Sequence, residues 1–155
     1  MPIEIERKFL IASEAWRTEV ASHSGIRQGY LAVTDTAAVR VRIVDAAAFL
    51  TIKSAGPAIS REEFEYSIPL GDAEALLALR TGRLIEKRRY IVPHGALRWE
   101  IDVFSGDLAG LVIAELELPS EGTAFARPAW LGAEVTGDPR YANAGLAAHG
   151  LPGRQ

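Results

Sequence analysis

Apolar and polar residues alternate along most of the chain up to residue 118, with the two-residue period that is typical of β-strands. The alternation predicts eight strands, at 3–11, 26–33, 38–44, 49–54, 61–68, 84–92, 97–104 and 111–118. Most connections between them are too short for a crossover helix, so the strands should form a mainly antiparallel sheet. Closing that sheet into a barrel would remove its two exposed edges.

Two segments between strands have helical spacing instead. Ser13 is a candidate N-cap for a helix over 13–23, in which Trp16 and Val20 share one side. A second helix is predicted over 73–80, and three leucines of this helix should face a core: Leu76, Leu77 and Leu79. Gly25 and Gly82 are expected to end the two helices.

The remaining sequence contains a break and a tail. The run 55–57, Ala-Gly-Pro, predicts an interruption between the fourth and fifth strands. The segment 119–155 has no further alternation and is expected to consist of helix and loop. The fold class is therefore α+β: residues 1–155 should form one domain, an eight-stranded, mainly antiparallel closed barrel with helices packed outside.

Composition agrees with a globular domain and excludes several kinds of partner. Of the 155 residues, 48% are hydrophobic and 24% are charged, as is ordinary for a protein that buries its own core. The net charge of −3 and the absence of a basic block argue against nucleic acid and anionic membranes as partners. With no cysteine, the chain has neither disulfides nor thiolate metal ligands.

The beginning of the sequence has no secretory signal, and no apolar run approaches the roughly 18 residues of a membrane span. We therefore expect a cytoplasmic protein. Whether it forms a homodimer stays open.

The polar face of the predicted sheet is almost entirely charged. Its six basic residues are Lys8, Arg40, Arg42, Lys53, Lys87 and Arg89. Its eight acidic residues are Glu4, Glu6, Glu63, Glu65, Glu100, Asp102, Glu115 and Glu117. Because helices outside the barrel should cover the apolar face, the charged face should line the lumen, whereas the interior of a small barrel is usually hydrophobic.

Fourteen charges cannot be buried dry, so the lumen should hold water, a charged ligand, or both. Carboxylates without His or Cys are ligands for Mg²⁺ or Mn²⁺, and paired Arg and Lys suit phosphate oxygens. The net formal charge of these fourteen residues is −2. Two divalent cations would bring it to +2, and a lumen with that charge would favour binding of a polyanion. The alternative is a lattice of ion pairs without a ligand, although a lattice would be expected to alternate signs within each strand.

The first strand resembles the ExExK signature of the CYTH superfamily, the triphosphate tunnel metalloenzymes, through Glu4, Glu6 and Lys8. Seven further motifs match in order: 28–31 (Gln-Gly-Tyr-Leu), Arg40-x-Arg42, Thr51-x-Lys53, Glu63-x-Glu65, Lys87-x-Arg89, Glu100-x-Asp102 and Glu115-x-Glu117. The tail from Trp130 to Asn143 resembles the C-terminal segment of the short bacterial branch, which is expected near one mouth of the tunnel.

The resemblance implies an enzyme that binds a triphosphate along the barrel axis and cleaves it with a divalent metal. By this resemblance the six bases would hold phosphates, and the eight acids would hold or orient the metals and the attacking water. The residues expected to act at the reacting atoms are Lys87, Arg89 and Glu6, with Lys87 the candidate general base because neighbouring cations lower the pKa of an amine.

Several functions fit these expectations. The leading hypothesis is hydrolysis of inorganic triphosphate to pyrophosphate and phosphate. The second is hydrolysis of thiamine triphosphate or a nucleoside triphosphate. Adenylate cyclase chemistry is less favoured because the sequence shows no evident purine pocket. A non-catalytic polyphosphate-binding module would need the bases but hardly the eight acids.

Overall fold

The computed structural model describes residues 3–55 and 59–153. Its strands are β1 (Ile3–Ile11), β2 (Ser22–Val33), β3 (Ala37–Val44), β4 (Ala47–Ser54), β5 (Ser60–Ser67), β6 (Thr81–His94), β7 (Leu97–Ser105), β8 (Val112–Glu117) and β9 (Leu131–Glu134). The α-helices are α1 (Leu70–Leu77) and α2 (Asn143–His149), and short 3-10 helices span Ala15–Glu19 and Gly106–Leu108. Apart from Ala55, the break predicted at 55–57 lies outside the described residues.

Eight of the strands close into the predicted barrel. They follow the order β5-β4-β3-β2-β6-β7-β8-β1, and every pair is antiparallel. The ring closes where β1 pairs with β5, through Ile3 opposite Glu62 and Ile5 opposite Ser60. The α+β barrel expected from the alternation is confirmed.

A ninth strand was missed by the sequence prediction, which expected only helix and loop after residue 118. Strand β9 pairs with β1 at Phe9 and Ile11, beyond the part of β1 that pairs with β5. It is anchored by Arg7, whose guanidinium donates to both carboxylate oxygens of Glu134 at 2.8 and 2.7 Å. Four residues are too few for alternation to be recognised, and β9 exists because β1 offers it an unpaired edge.

The first predicted helix was largely wrong. Only Ala15–Glu19 forms a helical turn, with Trp16 buried, and Ser22–Gly25 belongs to β2. These four polar or flexible residues pair with the end of β6, so tertiary pairing overrides their weak strand propensity. Within the described part of the chain, no helix is long and apolar enough to cross a membrane.

The second helix is shifted towards the N-terminus. It follows Pro69 and ends at Leu77, so Leu79 lies beyond it and is 71% exposed, contrary to the prediction. Ala73 and Leu77, four apart, are its buried residues and pack on Val41 of β3. Gly82 does not end this helix but is the second residue of β6.

The apolar outer face is covered unevenly. Beneath the 3-10 helix and the C-terminal segment, a core forms around Phe9, Trp16, Trp99 and Trp130. Among the described elements neither α-helix makes a substantial contact with β5, and Tyr66 is 54% exposed. The expectation that helices would cover the whole outer face is therefore wrong for this part of the barrel.

Helix α2 lies over one end of the barrel and not outside it. There the inner positions are apolar, because Ile85, Phe104 and Ile113 form a cluster with Leu146 of α2. The lumen is thus charged along only part of its length, which corrects the sequence prediction. Gly82 allows α2 to approach: its φ is +73°, and a Cβ there would lie 2.7 Å from the carbonyl oxygen of Ala147.

Replacing Glu134 should reveal how β9 is held. Hydrogen bonds from Arg7 lower the pKa of the Glu134 carboxyl from 4.5 to about 2. Its ion pair therefore stabilises the fold fully above about pH 4.5, and the contribution is lost as the pH falls towards 2. Glu134→Gln should lower the unfolding free energy by at most about 1 kcal/mol at pH 7. Urea titrations of both proteins should converge at low pH, and a pH-independent difference would contradict this account.

Candidate active site

The charged residues predicted to face the lumen meet across strands in three groups. The first surrounds Lys53 of β4, whose Nζ lies 2.7 Å from Glu4, 3.5 Å from Glu63 and 4.0 Å from Glu6. Burial lowers the pKa of Lys53, but Glu6 and Glu4 outweigh it and the net shift is upward. One ammonium thus joins β1, β4 and β5 at the seam of the barrel.

The second group is centred on Asp102 of β7, whose carboxylate is almost fully buried. One oxygen lies 2.7 Å from Lys87 Nζ, and Arg89 donates to both oxygens at 2.8 and 2.9 Å. Arg89 also lies 3.4 Å from Glu100. Burial alone would raise the pKa of Asp102, but the two cations beside it lower the pKa below its ordinary value.

The third group links Lys8 of β1 to Glu115 of β8, at 3.7 Å. Burial would raise the pKa of Glu115, yet Lys8, Arg89 and Lys87 together shift it downward. The ion pairs of these three groups therefore run between strands. The barrel thus contains a lattice of ion pairs that connect neighbouring strands. The order of charges within a single strand could not predict these pairs.

Arg40 and Arg42 stand apart from this lattice. Among the described residues, neither guanidinium has a carboxylate within 4.0 Å, although Arg40 is only 5% exposed. Arg40 donates to the Thr51 hydroxyl at 3.3 Å, and its Nε is buried without a described partner. Arg42 donates to the amide oxygen of Gln28 at 2.8 Å. Two adjacent inward-facing cations thus lack a counter-ion.

The lumen shifts the pKa of several of its groups. Burial, with Arg89 and Arg42 nearby, lowers the pKa of Lys87 to about 7, although Asp102 opposes the shift. Burial and repulsion from Arg40 and Arg89 lower the pKa of Arg42 to about 10. Burial and repulsion from Glu115 raise the pKa of Glu6 to about 8.

Some carboxylates of the wall also repel one another. Burial raises the pKa of Glu117, and repulsion from Glu4 and Glu100 raises it further. The pKa of Glu4 is also raised, mainly by burial and in part by repulsion from Glu63. A bound divalent cation would reduce the repulsion between these carboxylates, so their chemistry suits them to hold such an ion. Within residues 3–55 and 59–153, no three acidic or histidine side chains converge closely enough to hold a metal as they stand.

The C-terminal segment reaches into the lumen, near one end of the barrel as the resemblance implied. Lys8 Nζ donates to the carbonyl oxygen of Tyr141 at 3.4 Å, and Lys87 Nζ donates to Asn143 Oδ1 at 3.3 Å. Asn143 lines a cavity of about 110 Å³ together with Arg40 and Lys53. The sequence prediction assigned these tail residues no role, although both belong to the matched tail motif.

A second, larger cavity of about 760 Å³ lies on the other side of the same segment. Glu4, Glu6 and Lys8 form part of its wall, and the C-terminal segment contributes apolar residues such as Leu151 and Pro152. Ala142 and Ala144 border both cavities. The tail therefore borders both a smaller, cationic cavity and a larger one with a mostly apolar wall, and Glu6 and Lys8 of β1 line both.

Comparison with known proteins places this architecture in a family. The CYTH domain matches residues 2–146, and the chain belongs to the CYTH family. An inorganic triphosphatase of Acetivibrio thermocellus is 44% identical over 144 residues, covering 92% of both proteins. An inorganic triphosphatase of Nitrosomonas europaea is 43% identical over 150 residues, covering 93% of this chain and 96% of the relative.

Solved structures agree with the fold. A crystal structure of an inorganic triphosphatase superposes with a TM-score of 0.67 at 38% identity and covers 95% of both chains. A protein of Pyrococcus horikoshii shares the fold at a TM-score of 0.61 and 18% identity, over 76% of this chain and 79% of its own.

Asp102 should contribute strongly to the unfolding free energy of the protein. Asp102→Asn leaves Lys87 and Arg89 buried without their shared carboxylate, and removing one partner of a buried ion pair costs about 3–5 kcal/mol. We expect a clear loss of unfolding free energy in urea titrations. Glu14→Gln, which breaks the exposed pair with Arg17, is the control and should change the free energy little. Equal small effects would show that the lumen charges are screened by water.

Proposed function

We propose that this chain hydrolyses inorganic triphosphate to pyrophosphate and phosphate. The observation that carries the proposal is the pair Arg40 and Arg42, which face the lumen without a carboxylate partner. A buried cation without a counter-ion is unfavourable, so this part of the wall is built to receive an anion. The relatives from Acetivibrio thermocellus and Nitrosomonas europaea, both named inorganic triphosphatase, support the choice of anion.

The bases are proposed to divide between binding and catalysis. Arg40 and Arg42 hold phosphate oxygens directly, since Arg can form bidentate hydrogen bonds with a phosphate. Lys8, Lys53, Lys87 and Arg89 exchange part of their contacts within the ion-pair lattice for contacts with the substrate. Positioning and charge neutralisation of this kind supply most of the catalysis in phosphoryl transfer.

We propose that Lys87 takes a proton from the attacking water. Its pKa of about 7 leaves a useful fraction of neutral amine near neutral pH. Arg89 fixes the Asp102 carboxylate against Lys87 and so orients the amine. In this proposal Asp102 and Glu115 orient the cations that they contact, and Glu6 contributes a carboxylate beside the reacting phosphate.

The acids fit Mg²⁺ or Mn²⁺ in their chemistry, because they offer only oxygen ligands. We propose Glu4, Glu6, Glu63, Glu65, Glu100 and Glu117 as the residues that hold the cations. A bound divalent ion would neutralise phosphate charge and lower the pKa of a bound water. The carboxylates themselves set where that charge lies.

A second candidate is an organic triphosphate, which the larger cavity favours. Its apolar wall adjoins Lys8 and offers room for a group attached to the phosphates. The expectations of a cytoplasmic location and of a homodimer stay predictions.

A phosphate-release assay on tripolyphosphate, pyrophosphate, ATP and thiamine triphosphate tests the proposed activity. We expect tripolyphosphate with Mg²⁺ or Mn²⁺ to be hydrolysed fastest, because it has no group outside the cationic cavity. Excess EDTA should abolish the release. Faster hydrolysis of thiamine triphosphate or ATP would favour the organic substrate. Full activity in EDTA would contradict the proposed requirement for a divalent metal.

Replacing Arg40 separates substrate binding from stability. Arg40→Met removes a buried cation without a counter-ion, so the empty protein should melt a few degrees higher than the wild type. The variant should lose at least about tenfold in kcat/KM, equivalent to about 1.4 kcal/mol. Thermal scans measure the melting temperature, and the phosphate-release assay measures kcat/KM. Arg27→Met, which breaks an exposed pair with Glu74, is the matched control and should leave kcat/KM unchanged.

A further inference from the structure

We propose that Asn143 of α2 binds the substrate directly, as an anion-contacting residue supplied from outside the barrel. The inference rests on the proposed triphosphatase function and adds a residue to that site. Asn143 is the first residue of α2 and lines the cationic cavity with Arg40, Lys53 and Lys8.

The orientation of the Asn143 amide follows from its contact with Lys87. Lys87, whose side chain has no exposed surface, donates from Nζ to Asn143 Oδ1 at 3.3 Å, so the amide turns its oxygen towards Lys87. This contact directs the Nδ2 group away from Lys87. Among the described residues Nδ2 makes no hydrogen bond, and Asn143 borders a cavity whose charged groups are mainly cations. A neutral donor thus belongs to the same cavity as Arg40, which has no carboxylate within 4.0 Å in the described part of the chain.

The arrangement suits a phosphate chain better than a structural role alone. Lys87 already has Asp102 at 2.7 Å and the ring of Phe104 at 5.3 Å, so it does not depend on Asn143 for a partner. The amide adds a donor without adding charge to a wall that already holds Arg40 and Arg42. Because Asn143 begins α2, a substrate held by both would join the barrel to the helix that lies over its end.

Helix α2 has an independent anchor, which provides a control. Arg83 of β6 donates to the carbonyl oxygens of Ala148 and Ala147 at 3.0 and 3.4 Å, at the opposite end of the helix from Asn143. Arg83 borders neither of the two cavities that the C-terminal segment lines. Arg83→Gln should therefore loosen α2 without removing a contact from the site.

The experiment measures the affinity for bismethylene triphosphate with Mg²⁺ by calorimetry, in the wild type, Asn143→Ala, Lys87→Met, the double variant and Arg83→Gln. A hydrogen bond to a charged group is stronger than one between neutral groups, so Asn143→Ala should weaken binding at least about tenfold. Most of that factor should persist in the Lys87→Met background, because Nδ2 contacts the anion directly and the bound anion can itself orient the amide. Arg83→Gln should lower the melting temperature and leave the affinity unchanged.

Three results would overturn the inference: unchanged affinity in Asn143→Ala, a factor that vanishes in the Lys87→Met background, or an equal loss in Arg83→Gln. Should Lys87→Met not fold, Asn143→Asp decides instead. Asp keeps an acceptor for Lys87, so an amide that only holds Lys87 predicts better binding by Asp than by Ala, and direct donation predicts worse binding. A wild type that binds no analogue would overturn the proposed function itself, whereas a wild type that binds while Asn143→Ala is normal overturns only this inference.

Discussion

The uncompensated charge of Arg40 and Arg42 is the constraint on which the rest of the lumen depends. Among the described residues neither guanidinium has a carboxylate within 4.0 Å, and a buried cation without a counter-ion is unfavourable. The bases Lys53, Lys87 and Lys8, in contrast, each meet acids from neighbouring strands. The lattice leaves a local excess of positive charge beside β3, where an anion can bind without first breaking an ion pair.

The same arrangement explains why the lumen is not uniform along its axis. Charges occupy the inner positions of the middle and of one end, and apolar residues occupy the other end beneath α2. The apolar end supplies the packing that a water-filled interior cannot provide. A small barrel with a polar site can therefore still have a core, divided between its outer face and one end of its interior.

Alternation in the sequence was enough to predict the eight barrel strands and the residues of the charged face, because a closed sheet sorts its side chains by parity. Elements that depend on tertiary pairing could not be predicted this way. The start of β2, Ser22–Gly25, has no strand character of its own, and β9 is four residues long. Within the site, the sequence grouped charges strand by strand, whereas the ion pairs run across strands. The role of Asn143 depends on where α2 packs against the barrel, and the alternation of apolar and polar residues does not predict that packing.

The pairing of β1 has a consequence for how the chain reaches this structure. Among the described strands β1 is synthesised first, and its partners β5, β8 and β9 are synthesised later and lie far away in sequence. Until they appear, β1 carries the unpaired backbone edges and apolar side chains that make nascent chains prone to aggregation. Contacts of such long range also slow folding. The barrel therefore closes last at the strand that was made first, and a prematurely terminated chain would expose that strand without ever forming the lumen.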